Sequence, residues 1–243
     1  STLIMYWSQV RILAGPPKKI MENFEFTNNW FNDAAKHQWD RLIPGIKPNK
    51  ILEIGSYEGA SVCYLIQKLG KEKPIEIHCI DSWNPDNNPA ELDNKNNNKF
   101  KEKYGNLSGT LQNMNDVEAR FKKNTQIAIK SVSNKVDLFV HRGFSDDQLV
   151  KLINNGKKNY FDFIYIDGSH LGPDVLCDAV LSFRLLKIGG VMAFDDYLFS
   201  QGGSKNLTDI PKLAIDSFVN LYSEKISMFN APAYQIYIKK ISE

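Results

Sequence analysis

Residues 50–59, KILEIGSYEG, read as a short apolar strand that ends in an acid, turns through glycines and runs into the helical pattern ASVCYLIQKLG. Glycine carries no Cβ, so Gly55 and Gly59 let the backbone pass close to a ligand where a side chain would collide. A strand that stops at Glu53 and is followed by such a turn has the form of a cofactor cradle.

The stretches on either side repeat the pattern. IEIHCID is a second strand that stops at an acid, Asp81, and with the helix expected over 58–69 it makes a βαβ unit with parallel strands and a right-handed crossover. Ligands of such sheets sit beyond the carboxyl ends of the strands, so Glu53 and Asp81 should converge on one crevice. VDLFV is a third strand, running into a helix that Ser145 is placed to cap, with Asp146 and Asp147 in its first turn. YFDFIYID is a fourth, ending at Asp167, and VMAFDD a fifth, ending at Asp195 and Asp196, with KIGG closing the helix between them. PKLAIDSFVNLY predicts one more helix, with Leu213, Ile215, Phe218 and Leu221 on its apolar face. KISMFN and YQIYIKK lie too close together for a crossover, so they should pair antiparallel. The expectation is an α/β fold with a mostly parallel sheet and a reversed edge pair.

Upstream, residues 22–43 space Phe24, Phe26, Trp30, Phe31, Ala34, Ala35, Trp39 and Leu42 as one or two amphipathic helices, capped near Thr27 or Asn28. Pro44, Gly45 and Pro48 should break that pattern. This aromatic-rich segment is also a candidate homodimer surface. With 243 residues, 42% of them hydrophobic, the chain can bury the core of one domain, assigned to 22–243, with 1–21 as an appendage of no assigned function. Residues 82–115, rich in Asn, Lys and Asp, read as either a solvated insertion or a lid over the site.

A formal charge of +2 is too balanced to imply a nucleic-acid surface. No apolar run approaches the ~20 residues needed to span a bilayer. The three cysteines, Cys63, Cys79 and Cys177, have no metal-ligand spacing and lie in apolar contexts, which suits buried, reduced thiols in a cytoplasmic protein.

Five carboxylates at one rim of a sheet repel unless a cation or hydrogen-bond donors sit among them, which argues for a site. At this point the chain resembles a family. EIGSYEG after the first strand, Asp81 after the second, GFS at 143–145, IDGSH at 166–170 and LLKIGGVMAFDDY at 185–197 are similar, in order, to class I S-adenosylmethionine-dependent methyltransferases, and most closely to the small-molecule O-methyltransferases grouped as type 24. The resemblance covers about residues 24–240 and implies a Rossmann-like, doubly wound seven-stranded sheet with a C-terminal antiparallel hairpin and helices on both faces.

It also implies roles. Glu53, Gly55, Ser56 and Gly59 would surround the methionine part of the cofactor, Asp81 would accept the ribose hydroxyls, Trp83 would cover the adenine, and Gly143, Phe144 and Ser145 would line its edge. Asp167 borders the cofactor as well. Asp167, Asp195 and Asp196 resemble the ligand set for Mg²⁺ or another divalent cation, with His170 as the base, although catechol-type members have Asn where this chain has Asp196. The acceptor would be a small molecule, with a sugar hydroxyl ahead of a phenol or catechol. Three rivals weigh against this reading: an NAD(P)-dependent oxidoreductase, which the missing GxGxxG spacing disfavours; a non-catalytic binding module, which the intact acids disfavour; and a nucleic-acid methyltransferase, for which no basic patch or base-flipping motif is present.

Overall fold

The computed structural model describes residues 23–84, 114–199, 206–229, 231 and 234–243. The appendage 1–21 lies outside the described residues, as does all of the expected insertion except its two ends.

The described chain runs α1 (Trp30–Asp33), α2 (Lys36–Ile46), β1 (Lys50–Ile54), α3 (Ala60–Leu69), β2 (Ile75–Asp81), α4 (Met114–Lys130), β3 (Val136–Arg142), α5 (Ser145–Asn154), β4 (Phe161–Ile166), α6 (Gly172–Leu185), β5 (Leu186–Phe194), α7 (Pro211–Leu221), β6 (Ile226–Met228) and β7 (Ile236–Lys240). The seven strands form one sheet in the order β3-β2-β1-β4-β5-β7-β6. β1 to β5 are parallel, and β7 enters antiparallel between β5 and β6. The expected architecture is therefore present, including the reversed pair.

Both faces of the central strands are buried, which explains why they read as continuous apolar runs. Ile51, Phe163 and Tyr165 face one core with Trp39, Val62, Leu65 and Phe121; Leu52, Ile164 and Ile166 face the other with Leu149, Ala179, Phe183 and Phe218. Trp39 anchors α2 by edge-on contacts with Phe163 at 5.3 Å and Tyr165 at 4.7 Å. Among the described residues no helix is long and apolar enough to cross a membrane.

Several local expectations are corrected. Pro44 lies inside α2, which ends only at Lys47 with a left-handed φ of 46°. A proline in the last turn removes one amide, while burial of Trp39 and Ile43 holds the helix down, and Pro48 then bars its continuation. Phe144, not Ser145, is the N-cap of α5, and no side chain caps that end. KIGG does not close a helix, because β5 already starts at Leu186 and shifts register against β4 between Phe161 and Phe163. On α7 the buried residues are Pro211, Ala214, Ile215 and Phe218, which share one face at three- and four-residue spacing, while Leu213 and Leu221 are exposed. Cys177 is exposed for the same reason, since α6 buries 175, 178, 179, 182 and 183 instead.

The strand order reverses between β1 and β4, the position at which sheets of this kind bind ligands. The ladder continues one residue past the strand ends. Gly55 N–H donates to Ile80 O at 2.8 Å, Asp167 N–H to Ile54 O at 2.9 Å, Asp195 N–H to Ile166 O at 3.0 Å and Gly143 N–H to Asp81 O at 2.9 Å. These bonds set the acids in a row along one rim.

Candidate active site

At the β1 and β2 ends the loop is fastened by the chain itself. Glu53 is fully buried, and its carboxylate accepts from Ser56 Oγ at 2.7 Å and from Ser61 Oγ. Burial, against those two hydroxyls and with the charge of Asp81 adding to it, pushes Glu53 up to about 7. Asp81 accepts from Tyr57 N–H at 2.8 Å and from Trp83 N–H at 2.8 Å, one on each oxygen. Both donors belong to residues in left-handed backbone, with φ of 46° and 39°. Such conformations persist only where the surroundings over-determine them, and the carboxylate does that here. Since a carboxylate offers about four acceptor sites, Asp81 can still receive two hydroxyls.

The two glycines are required by the protein's own packing. A Cβ on Gly55 would lie 1.8 Å from Asp167 O, and one on Gly59 would lie 2.9 Å from the Phe121 ring, with φ of +85° and +80°. Gly55 thus lets the loop after β1 cross the loop after β4. Trp83 lies wholly in the core, tilted on Phe121 at 5.0 Å, and donates from Nε1 to Tyr57 O at 3.0 Å, bracing the loop from below. Gly143, with φ 143°, turns the chain into α5, and the Phe144 side chain that follows is 49% exposed.

The β4 and β5 ends differ. Asp167, His170 and Asp196 each bring one donor atom within 4.8 Å of the others. His170 Nε2 lies 2.7 Å from Asp196 Oδ2, and Tyr234 OH donates to Asp196 Oδ1 at 2.8 Å. Asp196 has a φ of 55°, a left-handed position that Asp and Asn tolerate better than most residues. Asp195 is turned the other way: it accepts from Tyr165 OH, and from Asp196 N–H at 2.8 Å. Asp167 is held well above the usual carboxylate range, first by burial and then by the charges of Asp195, Asp196 and Glu53. Burial and Asp196 raise Asp195 too.

A divalent cation fits this arrangement. Two hard carboxylate oxygens, from Asp167 and Asp196, suit Mg²⁺ or a neighbouring metal with His170 beside it, and a cation between them would relieve the repulsion that drives Asp167 upward. Of the three acids expected as ligands, Asp167 and Asp196 come together with His170, while Asp195 supports Asp196 from behind. Tyr165, Tyr234 and Gln235 were not expected here. Their contacts cross between strands, and no spacing within one segment signals them.

A mostly parallel sheet with a reversed final pair, a fastened loop at the switch point and an acid cluster beside it define a class I methyltransferase. A family model described as a methyltransferase domain, Methyltransf_24, matches residues 52–197, and the chain belongs to that family. It is 38% identical over 69 residues to Probable caffeoyl-CoA O-methyltransferase 3 of Dictyostelium discoideum, covering 28% of this chain and 26% of that protein. The type 1 protein of that organism matches at 33% over 79 residues, covering 30% and 33%. These alignments span about a quarter to a third of the curated relatives' length. Among solved structures, an O-methyltransferase from Bacillus cereus in complex with SAH superposes with a TM-score of 0.55 at 16% identity, covering 90% of this chain and 84% of that one. The O-methyltransferase TomG from Streptomyces achromogenes, in complex with SAM, superposes with a TM-score of 0.54 at 15% identity, covering 84% and 78%. The nicotinamide-dependent reading is not favoured.

Proposed function

We propose that the protein transfers a methyl group from S-adenosylmethionine to a hydroxyl of a small molecule, with a divalent cation assisting, as one domain over 22–243 in the cytoplasm. The observation that carries this is the cluster of Asp167, His170 and Asp196 beside the Glu53 loop. S-adenosylmethionine supplies a methyl already activated on its sulfonium, and a bound cation supplies Lewis-acid assistance to the acceptor oxygen.

The remaining work belongs to this chain. Glu53, Gly55, Ser56 and Gly59 hold the amino-acid end of the cofactor, Asp81 orients its ribose, and Gly143, Phe144 and Ser145 border its adenine; Trp83, expected over the adenine, is buried on Phe121 and braces Tyr57 instead. Asp167 and Asp196 hold the cation, and Asp195 keeps Asp196 in place through its amide. With Nε2 turned to Asp196, His170 keeps Nδ1 to take the proton of the acceptor hydroxyl. Alignment of hydroxyl, methyl and sulfur contributes most of the rate, because the methyl donor needs no covalent help from the protein.

The acceptor is a sugar hydroxyl or, second, a phenolic oxygen such as that implied by the names of the curated relatives. The test is isothermal titration with S-adenosylmethionine and NADPH, followed by S-adenosylhomocysteine release over an acceptor panel with Mg²⁺ or chelator. Binding of the sulfonium compound and cation-dependent release are expected. Tight NADPH binding without response to S-adenosylmethionine would overturn the reading.

A further inference from the structure

On the face of the sheet that packs against Trp39, β4, β5 and β7 place Tyr165, Ala193 and Tyr237 side by side, all of them buried. Side chains two apart on a strand share a face, so the next positions toward the rim are Asp167, Asp195 and Gln235. The small side chain of Ala193 leaves room for the Tyr165 phenol to reach its diagonal neighbour, and the hydroxyl donates to Asp195 Oδ2. The same hydroxyl is close enough to Asp167 to lower that carboxyl as well. Gln235 lowers Asp195 from the β7 side, and Tyr237 OH donates to Gln235 Oε1. Trp39 fixes the Tyr165 ring from below, edge-on at 4.7 Å. The other oxygen of Asp195 accepts from Asp196 N–H at 2.8 Å, and Asp196, with its left-handed φ of 55°, is the residue that meets Asp167 and His170.

We propose that Tyr165 is a positioning residue for the cation: its hydroxyl holds the Asp195 carboxylate behind Asp196, so that Asp167 and Asp196 bind the metal while Asp195 fixes the backbone of Asp196 instead of joining them. The inference rests on the cation-assisted reading given above. Asp195 has one oxygen on Tyr165 and the other on the Asp196 amide, and it is the acid of this rim that stays out of the cluster of Asp167, His170 and Asp196. A left-handed aspartate persists where its surroundings over-determine it. Asp196 is held from both sides, by Asp195 on its amide and by Tyr234 OH on its Oδ1 at 2.8 Å. Tyr165 carries that hold into the core, where Trp39 leaves its ring no freedom to move. Partners that orient metal ligands in this way are worth about 10–100-fold in metal affinity.

The experiment uses the full chain with Mn²⁺ as the probe, its binding read from the free-ion electron paramagnetic resonance signal, and S-adenosylmethionine Kd by calorimetry. Tyr165→Phe removes only the hydroxyl, and it should weaken Mn²⁺ binding about tenfold with cofactor Kd within about twofold. Tyr160→Phe, which takes a hydroxyl from Glu76 at the far end of β4, should leave both constants unchanged. Because Tyr165 acts through Asp195, its substitution should cost about threefold or less in an Asp195→Asn background. Asp195→Asn by itself should weaken Mn²⁺ binding less than Asp167→Asn does, a comparison that decides the matter even where Tyr165→Phe does not fold. An unmoved Mn²⁺ Kd in Tyr165→Phe overturns the inference, as does an undiminished loss in the Asp195→Asn background or an Asp195→Asn variant as impaired as Asp167→Asn. Wild-type protein that binds S-adenosylmethionine but no Mn²⁺ would instead count against the cation in the proposed function.

Discussion

Glu53 and Asp81, at the ends of β1 and β2, have their oxygens engaged by Ser56, Ser61, Tyr57 and Trp83, all within two short loops and the start of α3. Asp167 and Asp196, at the ends of β4 and β5, come together with His170 while Asp195 lies behind Asp196, and burial and mutual charge raise Asp167 and Asp195. The first pair is held by donors of its own loops and keeps strained backbone in place, with room left on Asp81 for a ligand; the second group is charge-frustrated and fits a cation. Strain and frustration of this kind collect where proteins bind and react, so under the function proposed above the difference would separate a scaffold for the cofactor from the place of chemistry. Substitutions should therefore cost stability in the first half and activity in the second.

The largest effect should come from Asp167→Asn, which keeps the size of the side chain but removes a charge from the cluster. A loss of kcat/KM on the order of 10³-fold is expected, from weakened cation binding. Thermal stability should stay level or rise, because one of the repelling carboxylates is gone. Chelator should reproduce the loss in the wild type and add little in the variant. A large fall in melting temperature would erase the contrast between the halves.

Asp81→Ala sets the opposite case. It orphans the amides of Tyr57 and Trp83, and with about 1–3 kcal/mol for each unpaired donor the expected loss is about 2–6 kcal/mol. Denaturant midpoints measure it, and S-adenosylmethionine affinity should fall with it. Asp81→Asn, which keeps one acceptor, should recover part of both.

Much of this contrast was legible in the chain. The strand-to-acid endings at Glu53, Asp81, Asp167 and Asp195 gave the rim, because a parallel strand buried on both faces must be apolar until it meets the crevice. Asp167, His170 and Asp196 were legible as well, being close in sequence to strand ends. The partners that decide what each acid does were not. Tyr165 reads as one more apolar position of β4, and its hydroxyl matters only because β5 is its neighbour. Tyr234 and Gln235 lie in what reads as an edge strand, 38 residues or more from the acids they address. Gly55 was legible as a special residue for a different reason from the one the structure gives, since a sequence does not show that Asp167 O is the atom in the way.

The strands of the cofactor half also carry an acid-sensitive contact. His141 on β3 lies 2.8 Å from Nδ1 of His78 on β2, which in turn contacts Glu76 at 2.8 Å, with Tyr160 OH, Lys157 and Lys151 close by. Burial, then the charge of His78, depresses His141 to about 4. Because the unfolded imidazole titrates near 6.5, the unfolded state binds more protons between those values, so stability falls as pH drops from about 6.5 toward 4. A loss on the order of 2 kcal/mol is expected, and His141→Phe should flatten it. An equal slope in that variant would place the acid sensitivity elsewhere.

Glu53 gives the smallest effect and the closest test of the scaffold. Its ionised form is opposed by burial, which holds it at about 7 despite two hydroxyl donors. A carboxyl raised in this way is protonated more in the folded than in the unfolded state, so by itself it favours the free protein at low pH and loses that contribution as pH rises through the range up to about 7. Cofactor binding should run the other way. If the ammonium of S-adenosylmethionine selects the carboxylate, affinity is reduced by the fraction of protein in which Glu53 is ionised. Between pH 5.5 and 7 that fraction rises on the order of tenfold, and Kd should tighten by the same factor, with a proton released on binding at the acid end. Glu53→Gln keeps an acceptor for one serine but carries no charge, so its weaker affinity should be level with pH. Calorimetry in two buffers of different ionisation enthalpy reads both the slope and the proton. A wild-type Kd level across this range, with no proton released, would mean that the loop holds the cofactor by its backbone and that Glu53 serves only Ser56 and Ser61.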